Sequence, residues 1–191
     1  MSKQQQPQVK VRIENVVASA ILNQRIDLNA VVKGYPGVEY RPEQFPGLVF
    51  RLKRPKTATL MFSSGKMVCT GAKSEKEARR AVMRVIRELK RSGIVIVSKP
   101  ELKIQNIVAS ANLGGMIDLE RAAHVLGKTM YEPEQFPGLI YRMDDPKVVI
   151  LLFASGKLVC TGAKKEEDVY RAVDNLLKKL EKEKLIYYEQ Q

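Results

Sequence analysis

The chain has 191 residues, 45% of them hydrophobic and 28% charged, which suffices for one good-sized domain or two small ones around packed cores. No stretch approaches the roughly 18 uninterrupted apolar residues that span a bilayer. The polar opening Met1 to Gln8 lacks a signal-peptide core, and two cysteines with one histidine make neither a disulfide framework nor a typical zinc site. The chain is therefore read as soluble and intracellular. Lys and Arg number 33 against 21 Asp and Glu, a net charge of +12 that favours a polyanionic partner such as nucleic acid.

In chain order, a polar tail at residues 1–8 precedes an alternating strand at Val11 to Ser19. A short helix follows, with Asp27 as N-cap and Leu28 next. The Pro-Gly segment Tyr40 to Gly47 reads as a loop, because proline has no N–H to give a ladder. Three strands come next, at Leu48 to Lys53, Thr57 to Ser63 and Met67 to Gly71, turned by Pro55-Lys56 and Ser64-Gly65-Lys66. Ser74 and Glu77 form the capping box of a long helix. Its apolar face is Ala78, Ala81, Val82, Val85, Ile86 and Leu89, and Gly93 stops it. The series then begins again, with a strand at Leu102 to Ser110, a capped helix at Asp118-Leu119 and a loop at Tyr131 to Gly138. The second long helix runs from about Lys165 to Lys182, with Val169, Ala172, Val173, Leu176, Leu177 and Leu180 inward.

The repetition is literal. Glu43-Gln44-Phe45-Pro46-Gly47-Leu48 returns as Glu134-Gln135-Phe136-Pro137-Gly138-Leu139, and Val68-Cys69-Thr70-Gly71-Ala72-Lys73 as Val159-Cys160-Thr161-Gly162-Ala163-Lys164. At an offset of 91, 37 of the 77 positions from Ile13/Ile104 to Leu89/Leu180 are identical. Two copies are too few for a solenoid. We expect two half-domains, residues 9–96 and 97–187, related by an approximate two-fold axis and forming one compact domain. Five strands and two helices per copy give an α+β fold with a ten-stranded, mostly antiparallel sheet and four helices. The charge does not repeat: residues 1–95 hold 19 Lys and Arg against 7 Asp and Glu, residues 96–191 hold 14 against 14.

Helices cover one face of such a sheet, and the other is normally polar. Here Thr57 to Phe62 and Val148 to Phe153 are mostly apolar in both alternations. A bare apolar face of that size is a binding surface, unless it is buried within the chain or by a second copy of it. Basic residues are expected around its margins: Arg51, Lys53, Lys66 and Lys73, with Arg142, Lys157 and Lys164. An apolar centre with a basic rim suits the minor groove of a duplex, whose floor is sugar and base edge and whose walls are phosphate. Asn15, Asn106, Thr70 and Thr161 are placed to donate to the A N3 and T O2 acceptors, which are all an A·T pair offers there.

With Glu14-Asn15-Val16-Val17 and Gln105-Asn106-Ile107-Val108, the paired blocks resemble the core of the TATA-box-binding protein family over roughly residues 9 to 187. The short stretch ahead of the first repeat resembles the archaeal form. The resemblance implies a saddle whose concave sheet sits on a bent minor groove, with the helices on the convex side; the family is itself a standing example of minor-groove wedging. It implies that Phe45 with Phe62, and Phe136 with Phe153, are the wedge pairs. Asn15, Val17, Leu60, Val68 and Thr70 would line one half of the groove floor, and Asn106, Val108, Leu151, Val159 and Thr161 the other. Arg51, Ser64, Lys66 and Lys73, with Arg142, Ser155, Lys157 and Lys164, would meet the DNA backbone.

The loop Glu132-Pro133-Glu134-Gln135 matches the family's surface for transcription factor B, with Gln135 standing where the family commonly has Leu. Arg41 replaces Glu132 in the first copy, and Asp144 and Asp145 replace Lys53 and Arg54 in the second, which fits a protein approached by factor B at one end. Arg79, Arg80, Arg84, Arg87, Lys90 and Arg91 on the first long helix would face away from the bent DNA, toward flanking DNA, acidic partners or solvent. No cofactor, metal or catalytic constellation is expected: Gly65-Lys66-Met67 is not a phosphate-binding loop, His124 reads as structural or solvent-facing, and Cys69 and Cys160 read as inert thiols. The expected function is a cytoplasmic, nucleoid-associated general initiation factor, not an enzyme. It binds and bends TATA promoter DNA and recruits transcription factor B and, indirectly, RNA polymerase. A sequence-neutral DNA-bending protein, and a scaffold or enzyme of the same helix-on-sheet class, are the alternatives. A homodimer over the apolar face in the absence of DNA stays open.

Overall fold

The structure, a computed structural model, describes residues 9–189; the polar tail read at residues 1–8 lies outside them. The first copy runs β1 (Val11–Ile21), α1 (Leu28–Gly34), β2 (Glu39–Tyr40), β3 (Leu48–Lys53), β4 (Lys56–Met61), β5 (Lys66–Ala72) and α2 (Glu75–Arg91). The second runs β6 (Glu101–Asn112), β7 (Met116–Ile117), α3 (Leu119–Val125), β8 (Thr129–Met130), β9 (Leu139–Met143), β10 (Val148–Leu152), β11 (Lys157–Ala163), α4 (Glu166–Lys182) and β12 (Ile186–Tyr187). Strand order is β2-β3-β4-β5-β1 in the one and β6-β11-β10-β9-β8 in the other. The ladders from β2 to β1 and from β11 to β8 are antiparallel. This is the expected duplicated α+β fold of ten main strands and four helices.

The chain packs as two compact units. One is Glu14–Ile107, and the other joins residues 108–189 to residues 9–13. In the first unit Leu48, Phe50, Met61, Met67 and Cys69 meet Ala81, Val82, Val85 and Leu89 of α2, with Leu28 and Val31 of α1 in the same core. Tyr35 closes it over Phe50, ring centroids 4.5 Å apart. In the second, Leu139, Ile150, Leu152, Leu158 and Cys160 are buried on the sheet, and Val169, Ala172, Val173, Leu176 and Leu180 on α4. The helices start where the caps predict. Asp27 Oδ1 accepts from the Asn29 and Ala30 N–H groups (3.0 and 3.2 Å), Asp118 Oδ1 from Arg121 N–H (3.1 Å), and Ser74 Oγ from Glu77 N–H (2.9 Å).

Four details differ from the sequence reading. The fifth strand of each copy is the two-residue β2 or β8; Tyr40, read as loop, pairs with Leu48 instead. β4 stops at Met61, because Phe62 N–H turns to the Lys66 carbonyl (2.9 Å) and Gly65 N–H to the Phe62 carbonyl (3.0 Å). Leu177 is half-buried, at the margin of the α4 stripe. A small second sheet, β7 with β12, was not foreseen: Ile117 pairs with Ile186 and Met116 with Tyr187.

Candidate nucleic-acid interface

Pleating sends alternate side chains to opposite faces. On β4 the order is Thr57 in, Ala58 out, Thr59 in, Leu60 out, Met61 in, and on β10 Val148, Ile150 and Leu152 go in while Val149 and Leu151 go out. The inward set is buried against the helices, and the outward set is half-exposed. Register then assembles the outward residues into rows. In the first unit Val49, Leu60 and Val68 stand abreast, beside Arg51, Ala58 and Thr70. In the second the rows are Ile140, Leu151 and Val159, beside Arg142, Val149 and Thr161. All the groove-floor candidates, Asn15, Val17, Leu60, Val68 and Thr70 with Asn106, Val108, Leu151, Val159 and Thr161, are half-buried side chains. The sequence reading passed over Val49, Ala58, Ile140 and Val149. Their parity with Arg51, Leu60, Arg142 and Leu151 was the signal that could have found them.

Polar atoms on this face are held, not loose. Asn15 Oδ1 accepts from Gly71 N–H (2.7 Å), and its Nδ2 donates to Thr70 Oγ1 (3.1 Å). A backbone N–H can only donate, so the Gly71 contact fixes which end of the amide is oxygen. Gly71 sits at φ +102, and a Cβ there would lie 3.1 Å from the Lys56 carbonyl, so glycine is what lets the two strands close over Asn15. Lys73 Nζ donates to the Glu14 carbonyl (2.7 Å) beside this group. A cleft of about 320 Å³ gathers Glu14, Asn15, Arg51, Lys56, Ala58 and Thr70.

The four phenylalanines form two matched pairs. Phe45 meets Phe62 edge to face, centroids 6.0 Å apart at 71°, and Phe136 meets Phe153 at 5.9 Å and 69°. Phe45 and Phe136 are 45% and 40% exposed, so neither belongs to a core. Each hangs on the turn that precedes β3 or β9, where Phe45 N–H donates to the Arg41 carbonyl (3.0 Å) and Phe136 N–H to that of Glu132 (2.9 Å). A Cβ on Gly47 would lie 2.7 Å from Phe45 and 3.1 Å from Phe62; on Gly138 the same distances are 2.7 and 3.0 Å, to Phe136 and Phe153. Glycine is thus the residue that lets the two rings meet.

Around this apolar ground Arg51, Lys66, Lys73, Arg142, Lys157 and Lys164 are exposed cations, and Ser64 and Ser155 are exposed hydroxyls at the hairpin turns. Arg51 and Arg142 stand within β3 and β9, not at the margins where the basic rim was expected. Arg51 lies 3.8 Å from Glu39, an exposed pair worth little. Glu132, Glu134 and Gln135 are exposed on the loop before β9, and Arg41 takes the place of Glu132 in the first copy. His124 is exposed in the last turn of α3. Both cysteines are buried under the sheet. Burial pushes Cys160 up to about 11 and raises Cys69 also, though the Thr59 and Thr57 hydroxyls pull the latter partly back. Among the described residues there is no group of three or more His, Cys, Asp or Glu that could hold a metal ion, and no helix long and apolar enough to cross a membrane.

The family model described as transcription factor TFIID, or TATA-binding protein, matches residues 10–92 and again 101–183. A TATA-box-binding protein of Pyrodictium occultum is 56% identical over 179 residues, 94% of this chain and 90% of that protein. One of Sulfurisphaera tokodaii is 58% identical over 170 residues, 89% of this chain and 86% of that protein. The solved structure of Methanococcus jannaschii TBP superposes with a TM-score of 0.82 at 52% identity, covering 91% of this chain and 99% of that one.

Proposed function

The chain belongs to the TATA-binding protein family, and from that premise we propose that it is a transcription initiation factor that binds TATA promoter DNA through the minor groove. The observation that carries this reading is the apolar outward face of each unit, bounded by cations and flanked by an edge-to-face phenylalanine pair. Val17, Leu60 and Val68, with Val108, Leu151 and Val159, lie against sugars and base edges. The exocyclic amino group that a G·C pair places there finds no acceptor among these valines and leucines, which favours A·T. Asn15, its oxygen spent on Gly71 N–H, has an amide hydrogen to give to an A N3 or T O2; Asn106, Thr70 and Thr161 act beside it. Phe45 with Phe62 and Phe136 with Phe153 wedge base steps at the ends of the site. The wider, bent groove then brings the phosphates to Arg51, Ser64, Lys66 and Lys73 and to Arg142, Ser155, Lys157 and Lys164.

The two repeats act together on one duplex. Glu132, Glu134 and Gln135 then present an acidic corner to transcription factor B, which brings RNA polymerase to the promoter in the archaeal cytoplasm. The test is a salt titration of binding to a duplex carrying TATAAA and to its G·C-substituted counterpart, with end-labelled fluorophores reporting the bend. Salt-sensitive binding and a bend on the A·T site alone are expected. Equal binding and bending on both would make the protein a sequence-neutral architectural factor, and no binding at low salt would discard the groove reading.

A further inference from the structure

A cleft of about 600 Å³ in the second unit carries charge that the repeat does not predict. Lys10, Arg12, Asn112, Phe153, Ser155 and Lys157 line it, over a floor that includes Val159. Lys10 directly precedes β1 and Arg12 is its second residue, and both line this one cleft. At the offset of 91, the first unit has Phe62, Ser64 and Lys66 for Phe153, Ser155 and Lys157, but Glu101, Lys103 and Ile21 for Lys10, Arg12 and Asn112. The second unit thus adds a net two positive charges and an amide at a place where the first has a cancelling pair and an isoleucine.

We infer that Lys10 and Arg12 hold backbone phosphates of the bound duplex beside Phe153, so that the second unit grips its half of the site with two contacts that the first unit lacks. This rests on the minor-groove reading above. Three cations with an amide and a hydroxyl converge on one opening, which calls for an anionic, acceptor-rich ligand. The apolar floor of Phe153 and Val159 would stay uncovered by a small free anion. Deoxyribose carries both requirements at once, an apolar sugar face on the floor and phosphates at the rim.

The test compares the full chain with the K10Q/R12Q double variant, titrating affinity for the TATAAA duplex against salt. K178Q/K182Q, which removes the same charge from α4, is the control. All three proteins should melt alike. In K10Q/R12Q the slope of log affinity against log salt should fall by about 2, with roughly a 10- to 100-fold weaker complex at 0.1 M salt. Hydroxyl-radical protection should be lost at one end of the site only, and the control should match the unaltered protein. An unchanged slope in K10Q/R12Q, or an equal drop in the control, overturns this inference while leaving minor-groove binding intact. Failure of the unaltered protein to bind the duplex overturns both, and the unaltered arm alone reports it.

Discussion

The two copies share the centre of the outward face but set it on differently built supports. Asn15, Val17, Leu60, Val68 and Thr70 have identical counterparts in Asn106, Val108, Leu151, Val159 and Thr161. Beneath that face the copies part. The first sets Thr57 and Thr59 in its core, and Thr59 Oγ1 is buried with no hydrogen-bond partner of good geometry, where the second has Val148 and Ile150. The second closes its long helix poorly. Lys165 makes no side-chain cap where Ser74 caps α2, and Lys184 takes a left-handed φ of 54° where the first copy has Gly93 at 91°. The first unit is weak in its core and the second at its helix ends. A shared face centre therefore need not rest on equally stable halves, and the difference can be measured one half at a time.

The largest expected effect concerns the faces themselves. Phe62→Ala and Phe153→Ala should each reduce the fluorescence-detected bend and weaken TATA binding by roughly 100-fold, while melting temperature changes little. Similar losses would support equivalent halves; a bend angle that neither variant alters would remove the wedge role. At the acidic corner, Glu134→Arg should weaken the ternary complex with transcription factor B by roughly 10- to 100-fold and spare DNA binding. Arg41→Glu, in the matching loop of the first copy, should leave that complex unchanged. A loss in both would mean that factor B approaches both loops, and a loss in neither that it reads neither loop by its charge.

The second core carries a thiol that makes stability respond to alkali. Burial penalises the Cys160 thiolate, so its folded pKa of about 11 exceeds the ordinary 9.0. The stability this represents is full below about pH 9 and is lost as pH rises through 11, at most about 2–3 kcal/mol. Denaturant melts from pH 8 to 11 on the natural chain and on Cys160→Ala should show the gap between them narrowing. A constant gap would mean that the thiol titrates normally. Thr59→Val should stabilise the protein by about 0.5–1 kcal/mol, since it removes a buried hydroxyl that has no hydrogen bond of good geometry and interacts weakly with the Cys69 thiol, at nearly the same volume. Ile150→Thr, installing the first copy's residue in the second, should destabilise. The smallest changes are at the α4 ends, where Lys165→Ser and Lys184→Gly should each add about 0.5–1 kcal/mol in the same assay. Null results there would show that α4 is held by packing alone.

Much of this was legible in residue order. The β-period in Leu48 to Lys53 marks β3 to the residue, and the 3.6-period in Ala78 to Leu89 marks α2 between its Ser74 cap and Gly93. The caps Asp27, Ser74 and Asp118 act as their types predict. The short strands were not legible, because β2 and β8 have two residues each and exist only through pairing with β3 and β9. Nor was β7 with β12, where a segment after the long helix returns to a neighbour about seventy residues earlier. In the candidate site, Leu60 and Val68 are given by parity, but Val49 and Ile140 emerge only once register sets them abreast.

By itself the sequence determined the duplication, the kinds of element and the outward parity of the apolar residues, because periodicity and capping are local physics. Tertiary structure alone decided how Asn15 is turned, since the Gly71 N–H that fixes its amide comes from a strand 56 residues away. The ring geometry of Phe45 on Phe62, and the meeting of Lys10 and Arg12 with Phe153, were likewise decided by the fold. These contacts depend on register and close approach across strands, and neither is encoded in the spacing of residues along one segment.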